Sequence, residues 1–179
     1  MSKLYWKSLI VALSLGTAQV ASAQPYLGVG LGATFYNDAE LYGIEEESTF
    51  YEFKAGVLVE KAVGLEISYV NLGDFQDLQT QTDLNFSGVA IAGKGAIPVG
   101  SQMHLFAKIG MFFWEQDEKY LGQSHKVQEG EDLFYGGGVS FYVAEELTVD
   151  LEYRRFEIVD WQGIDVDIDV FTAGFSFFF

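Results

Sequence analysis

Eight charged residues recur at every second position of segments that are otherwise rich in apolar side chains. They are Glu52, Lys54, Glu66, Lys94, Lys108, Asp150, Glu152 and Arg154. Acids and bases balance within this set, although the whole chain has a formal net charge of −16. Buried charge must be paired, whereas charge in water need not be. The set therefore predicts a salt-bridge network that fills an interior lumen. A gated ion path, in which Arg154 or Lys94 switches acidic partners, is the alternative.

The sequence contains few residues that could carry out nucleophilic catalysis. The chain has two histidines, His104 and His125, and no cysteine. Ser124 and His125 are neighbours in a predicted loop, and a triad needs three groups held rigidly together. His104 has no serine obviously opposite it. We therefore expect no enzyme activity and no cofactor.

Acidic side chains concentrate between the apolar segments. Asp165, Asp167 and Asp169 form a D-x-D-x-D run that resembles the start of an EF-hand loop, without its glycine at the sixth place or its closing glutamate. On a strand these carboxylates share one face, where they could hold a divalent metal weakly. A solvated rim is the simpler interpretation. The other acids of this rim are Glu45, Glu46, Glu47, Asp74, Asp77, Asp117 and Glu118.

The spacing of apolar residues indicates the elements that carry these groups. Apolar and polar residues alternate with a period of two along the chain, which is typical of β-strands. Eight strands are predicted, over residues 25–36, 49–59, 64–73, 82–97, 103–115, 131–143, 147–158 and 165–179. Three connections are short, and four are longer or acidic. An even strand number with this alternation of connections is typical of an up-and-down outer-membrane barrel whose short turns face the periplasm.

One strand departs from simple alternation. Leu84 and Phe86 are out of phase with Val89 and Ile91, and a bulge near Ser87-Gly88 would restore the register. At the long-loop end, Trp114, Trp161 and Tyr120 are candidates for an aromatic girdle at the membrane interface.

Periodicity leaves open which face points outward. A soluble lipocalin-like barrel has its apolar face inside, and a membrane barrel reverses this. The polar face here carries Gly28, Gly30, Gly32, Gly136 and Gly138, which suit a narrow lumen better than a solvated strand or a dinucleotide-binding motif. The balanced charges and the apolar length of the last strand also favour a membrane barrel.

The N-terminal segment has the features of a secretory signal. Lys3 and Lys7 precede an apolar run, and Ala21-Ser22-Ala23 provides small residues for cleavage before Gln24. We expect a signal peptide over residues 1–23 and a single barrel domain over residues 24–179. A chain this acidic is unsuited to binding nucleic acid.

Three segments carry a family resemblance: Gly64–Tyr69 with Leu72-Gly73, then Leu151–Arg154, then the aromatic ending at Phe179. They resemble strands of the OmpA-like eight-stranded outer-membrane β-barrels, also called porin-family proteins. The resemblance implies that Phe175, Phe177 and Phe179 form the signal read by the barrel-assembly machinery. It also implies that Glu66 and Glu152 pair with bases inside the barrel. The resemblance does not extend to the periplasmic peptidoglycan-binding domain of OmpA, so cell-wall tethering is not implied.

The sequence thus predicts an all-β, transmembrane protein of the outer membrane with a structural or surface-interaction role. A narrow gated pore for small ions is the alternative, and a soluble lipocalin-like binding protein is the third possibility. Expected partners are outer-membrane lipid and lipopolysaccharide, the barrel-assembly machinery, periplasmic chaperones and an extracellular ligand of the loops.

Overall fold

The computed structural model describes residues 23–37, 47–77, 82–120, 123–161 and 164–179. They form eight strands: β1 (Ala23–Tyr36), β2 (Glu47–Val59), β3 (Val63–Asp77), β4 (Thr82–Pro98), β5 (Met103–Tyr120), β6 (Gln123–Ala144), β7 (Leu147–Trp161) and β8 (Ile164–Phe178). In these residues no helix is long and apolar enough to cross a membrane. Residues 1–22 of the predicted signal peptide lie outside the described residues, and Ala23 begins β1.

The eight strands form one closed antiparallel barrel in sequence order, as predicted. Each strand pairs with its neighbours in the chain, and β1 also pairs with β8 through Tyr26↔Phe178 to Tyr36↔Ile168. The short connections 60–62, 99–102 and 145–146 lie at one end, which we call the turn end. The opposite end is the loop end. At the turn after β2, Glu60 and Lys61 have φ of 53° and 56°, as a tight primed hairpin turn requires.

The two faces of the wall differ in chemistry. Outward-facing residues of β1 include Leu27, Val29 and Leu31, and those of β8 include Phe171, Phe175 and Phe177. All eight charged residues singled out above point inward and are buried. At the height of these charges the barrel is therefore apolar outside and polar inside, the arrangement of a membrane barrel.

Apart from shifts of a few residues at strand ends, such as β3 ending at Asp77 and β7 at Trp161, two details of the predicted strands are wrong. The bulge lies in β3, where Leu72 and Gly73 oppose Phe86, and residues 87 and 88 are in regular register. Phe86 requires no shift of register, because its side chain points into the barrel, where it is fully buried. The predicted loop 116–130 is largely strand, since β5 and β6 stay paired as far as Tyr120↔Gln123. Backbone pairing continues there because it does not depend on apolar side chains.

Candidate functional site

The lumen contains a chain of buried ion pairs of alternating sign. Lys54 Nζ lies 3.2 Å from Asp150 Oδ2 and 3.6 Å from Glu52 Oε1. Arg154 bridges the other oxygen of Glu52 and Oε1 of Glu152, at 3.0 Å each. Lys108 then joins Glu152 and Glu66 at 2.8 and 2.7 Å. We call the eight charged residues the charged layer; seven of them form this chain.

Neutral hydroxyl groups close both ends of the ion-pair chain. The Tyr26 hydroxyl donates to Glu66 Oε2 at 2.5 Å, and the Ser176 hydroxyl donates to Asp150 Oδ2 at 2.6 Å. Charges removed from water are tolerated when each has partners of opposite sign and further hydrogen bonds. The charged layer meets this condition for most of its members.

Lumen-facing glycines make room for the long charged side chains. A Cβ at Gly28 would lie 2.7 Å from Lys54 Cε, and a Cβ at Gly30 would lie 2.9 Å from Glu52 Oε1. Both distances are too short for real side chains. Gly28 and Gly30 are therefore the places where Lys54 and Glu52, their partners on the neighbouring strand β2, lie over β1.

Lys94 is the exception within the charged layer. In the described part of the chain it forms no ion pair. Its ammonium instead lies 4.5 Å from the centre of the Phe106 ring and 5.2 Å from that of Tyr26, in cation–π geometry. Tyr26 also packs with Leu58 and Phe178 in a small apolar cluster at the turn end.

Beyond the charged layer, towards the loop end, the lumen is filled by apolar side chains. We call this set the apolar layer: Tyr36, Phe50, Val70, Leu72, Phe86, Ala90, Ala92, Phe112, Trp114, Phe134, Phe156, Ile158, Ile168 and Val170. Arg154 joins the two layers, because its guanidinium lies 5.6 to 5.8 Å from the rings of Phe50, Phe134 and Phe156. Alternation along the sequence does not predict the apolar layer, although the inward phase of Phe86 and Phe112 indicates it.

On β7 and β8 the outer wall changes character where the inner face does. On β8 the apolar stripe ends at Phe171, and Asp169 and Asp167 follow on the same face. Arg155 binds Asp169 through two hydrogen bonds of 2.7 Å and lies 3.6 Å from Asp167. Tyr153 and Asn37 also donate to Asp169, at 2.7 and 3.0 Å. Near the loop end β7 and β8 are therefore charged outside and apolar inside.

The aspartates of the D-x-D-x-D run differ in what surrounds them. Asp169 has protein donors on both oxygens, and Asp167 shares its face. The side chain of Asp165 lies outside the described residues. Within the described residues no group of three acidic or histidine side chains is arranged to hold a metal ion.

The surroundings predicted for Trp114 and His104 are wrong. Trp114 points into the lumen, where its indole N–H donates to Asp132 Oδ2 at 2.6 Å, so it belongs to no girdle. The side chains of Trp161, Tyr120 and His125 lie outside the described residues. His104 does have a serine opposite it, Ser140. In the described structure no hydrogen bond joins them, and the His104 ring packs edge-on against Tyr142 at 4.9 Å.

A closed barrel with an apolar outer stripe, a paired charged interior and short turns at one end defines a class: transmembrane β-barrels. The family described as the outer membrane protein beta-barrel domain matches residues 8–179. The chain belongs to this family and is an outer-membrane protein of the OmpA-like type.

Individual relatives agree with this assignment. Outer membrane protein A of Escherichia coli O157:H7 is 26% identical over 160 residues, which cover 82% of this chain and 45% of that protein. The chain thus spans about half the length of the curated relatives it matches. Neisserial surface protein A has the same fold, with a TM-score of 0.69 and 14% identity over 87% of this chain and 98% of that one. Ail of Yersinia pestis, solved with the heparin analogue sucrose octasulfate, superposes with a TM-score of 0.61 and 15% identity, covering 88% and 99%.

Proposed function

We propose that this protein is a closed, structural or surface-interaction barrel of the outer membrane and does not conduct. The single observation that carries the proposal is that two successive layers of side chains fill the lumen. They are the charged layer and, nearer the loop end, the apolar layer. Eight strands leave an interior just wide enough for side chains. An ion crossing this barrel would have to pass buried Phe50, Phe112, Phe134 and Phe156 after leaving the ion pairs.

A planar-bilayer measurement tests the closed lumen. The refolded full chain is expected to insert and to give no stable single-channel steps across voltage and pH. The matched control is the same chain with Phe112→Ala and Phe156→Ala, which thins the apolar layer and should allow steps to appear. Stable steps from the unchanged chain that Lys108→Ala abolishes would contradict the closed lumen.

A narrow pore is the second candidate, and Lys94 favours it. Its ammonium has no carboxylate contact in the described structure, so it is available to exchange with Lys54 or Lys108 on their acidic partners. Such an exchange is the charge rearrangement that a gate needs. This candidate requires the apolar layer to open as well.

Assembly and orientation are part of the proposal. We propose that residues 1–23 direct export, that periplasmic chaperones carry the chain, and that the turn end faces the periplasm. Phe175, Phe177 and Phe179 would be read by the barrel-assembly machinery. Deleting Phe179 should reduce the heat-modifiable, membrane-fractionated form of the protein, whereas Val143→Ala, an outward-facing change at the same end, should not.

Ligand binding at the loop end is proposed from charge. The Ail structure contains a polyanion, whereas this chain exposes acids there: Glu47, Asp74, Glu129, Glu131 and Asp167. Like charges repel, so we propose that a polyanion is not the ligand of this chain and that lipopolysaccharide phosphates approach it only through divalent cations. Heparin should therefore not bind the refolded protein in buffer without divalent cations.

A further inference from the structure

The bulge in β3 creates a polar pocket on the outer wall of the barrel near the loop end. The pocket has a volume of about 400 Å³ and is lined by Ser48, Thr49, Tyr51, Asn71, Gly73, Asp74 and Asn85. We call it the bulge pocket. Gly73 has φ of +91°, a conformation that favours glycine, and a Cβ there would lie 2.2 Å from Ser48 Oγ. The shape of the pocket therefore depends on this glycine.

Hydrogen bonds hold the walls of the bulge pocket in place. Asn71 Oδ1 accepts from the Gly73 amide at 2.8 Å, and Asn71 Nδ2 donates to Asn85 Oδ1 at 3.2 Å. Asn85 Nδ2 donates to Asp74 Oδ1 at 2.8 Å and to the Gly73 carbonyl at 3.2 Å. The Ser48 hydroxyl donates to the Asp74 carbonyl at 2.8 Å. A pocket whose polar groups are already fixed loses little entropy on binding a ligand.

Several neutral donors of the bulge pocket keep unused capacity. Asn71 is buried and has two amide protons, and its Nδ2 makes one hydrogen bond to the described residues. The hydroxyl groups of Thr49 and Tyr51 make none in the described structure, and both residues are exposed. These groups converge with the Tyr51 ring on one concave surface. A planar amide, hydroxyl groups and an aromatic ring together suit a ligand that has both hydroxyl groups and an apolar C–H face.

The position of the bulge pocket indicates where such a ligand would come from. Tyr51 lies directly opposite Asn71, and Phe53 and Tyr69 form the next outward pair towards the turn end. Phe53 and Tyr69 are exposed on the wall that faces lipid. The pocket therefore lies where the apolar outer wall gives way to polar side chains, at the level of lipid headgroups.

We propose that the bulge pocket binds an uncharged pyranose ring carried by a glycolipid headgroup of the outer leaflet. The sugar hydroxyls bond to Asn71, Thr49 and Tyr51, the apolar face of the ring packs on Tyr51, and the lipid chains lie along Phe53 and Tyr69. The site rests on the proposed surface-interaction role and is independent of whether the lumen conducts.

Charge selects a sugar over a phosphate. Asp74 lies in the wall of the bulge pocket, and among the described residues no basic side chain lines it. A carboxylate repels an anionic ligand and accepts hydrogen bonds from sugar hydroxyls. Free glycosides and glycolipid sugars share this chemistry, so the experiment has to separate the two sources.

Nuclear magnetic resonance of the refolded full chain in lipid nanodiscs tests the proposal. The probes are methyl α-glucopyranoside, methyl α-galactopyranoside, inorganic phosphate, and lipopolysaccharide with or without its core sugars. We expect core-bearing lipopolysaccharide to shift the Gly73 amide and the side-chain amides of Asn71 and Asn85. The free glycosides should do the same with millimolar affinity, and phosphate should shift none of them.

Two variants and a matched control make the result decisive. Thr49→Val and Tyr51→Ala should each weaken the affinity for core-bearing lipopolysaccharide by about tenfold or more. Tyr135→Ala is the control, because Tyr135 is an outward-facing tyrosine of similar exposure (38% against 36% for Tyr51) outside the pocket. Core-bearing and core-less lipopolysaccharide that bind equally, or binding that Tyr135→Ala weakens as much as Tyr51→Ala does, would overturn the proposal. So would shifts from free glycosides alone, since the source would then not be a glycolipid. A chain that conducts ions yet shows the expected shifts would overturn the closed lumen and leave the sugar site supported.

Discussion

The charged layer and the loop end of this barrel place the same kinds of side chain on opposite faces. At the height of the charged layer the wall is apolar outside, and charged residues such as Glu152 lie inside. Near the loop end Arg155 and Asp169 lie outside, and Phe156 and Ile168 lie inside. On the inner face of β7 the change from charged to apolar occurs between two successive residues. Arg154 is buried in the lumen, and Phe156 follows it on the same face. The arrangement near the loop end is therefore that of a soluble barrel, with its charged face outside and its apolar face inside.

The difference follows from what surrounds each part. Lipid accepts apolar side chains and rejects charge, whereas water and headgroups accept charge. A strand that continues beyond the lipid must therefore exchange the chemistry of its two faces while its backbone pairing continues. The lipocalin-like arrangement, which the sequence left open for the whole chain, describes the loop end alone.

Removing Arg154 should give the largest effect. Arg154→Ala leaves Glu52 and Glu152 without their shared cation and exposes three rings of the apolar layer. We expect the free energy of unfolding to fall by about 3–5 kcal/mol, the cost of leaving buried charge unpaired. Urea unfolding in lipid vesicles, followed by tryptophan fluorescence, measures it. The adjacent Arg155→Ala is the control, and an equal loss in both would mean that burial does not distinguish the two arginines.

Truncating the apolar layer should be nearly as costly. Phe156→Ala leaves a cavity among Phe112, Phe134 and Arg154, and we expect a loss of roughly 3–5 kcal/mol. Phe171→Ala removes an outward-facing ring of the neighbouring strand, and lipid chains can fill that gap. The same unfolding assay should therefore show a clearly smaller loss for Phe171→Ala. Equal losses would show that the apolar layer is not close-packed.

Adding a charge to the outer wall locates the boundary between the two regions. Leu151 and Glu157 lie on the same outward face of β7, one against lipid and one near the loop end. Leu151→Arg should cost about 2–4 kcal/mol if it lies near the middle of the bilayer. Glu157→Arg should change the stability little in the same assay. A large penalty at residue 157 would place the lipid boundary higher than we infer.

The outer ion pair should give the smallest effect. Arg155 is about 30% exposed, and its two hydrogen bonds to Asp169 lie at the edge of the apolar wall. Asp169→Asn should cost roughly 0.2–1 kcal/mol, because the pair is partly exposed and an asparagine keeps one acceptor oxygen. Salt should reduce this difference, whereas it should leave the Arg154→Ala difference almost unchanged. A salt-insensitive loss at Asp169 would indicate that lipid shields this pair from water.

Much of the fold could be predicted because a period of two is easily seen in the sequence. The strand number, the three short turns and the shared face of the eight charged residues all follow from spacing. The extent of β5 and β6 beyond residues 115 and 131 could not, since those residues carry no apolar alternation, and their pairing in the structure is seen in the backbone register. The bulge was assigned to the wrong strand because Phe86 was assumed to face outward.

The sequence by itself determined which residues share a face of the wall and that the charges on one face balance. Only the tertiary structure decided which acid meets which base, why Lys94 is left between two rings, and where the apolar layer begins. The physical reason is that spacing along a strand records side-chain direction, whereas pairing depends on which of eight strands lies across the lumen. The surroundings of each face also change along the strand from lipid to water, and a constant period of two does not record that change.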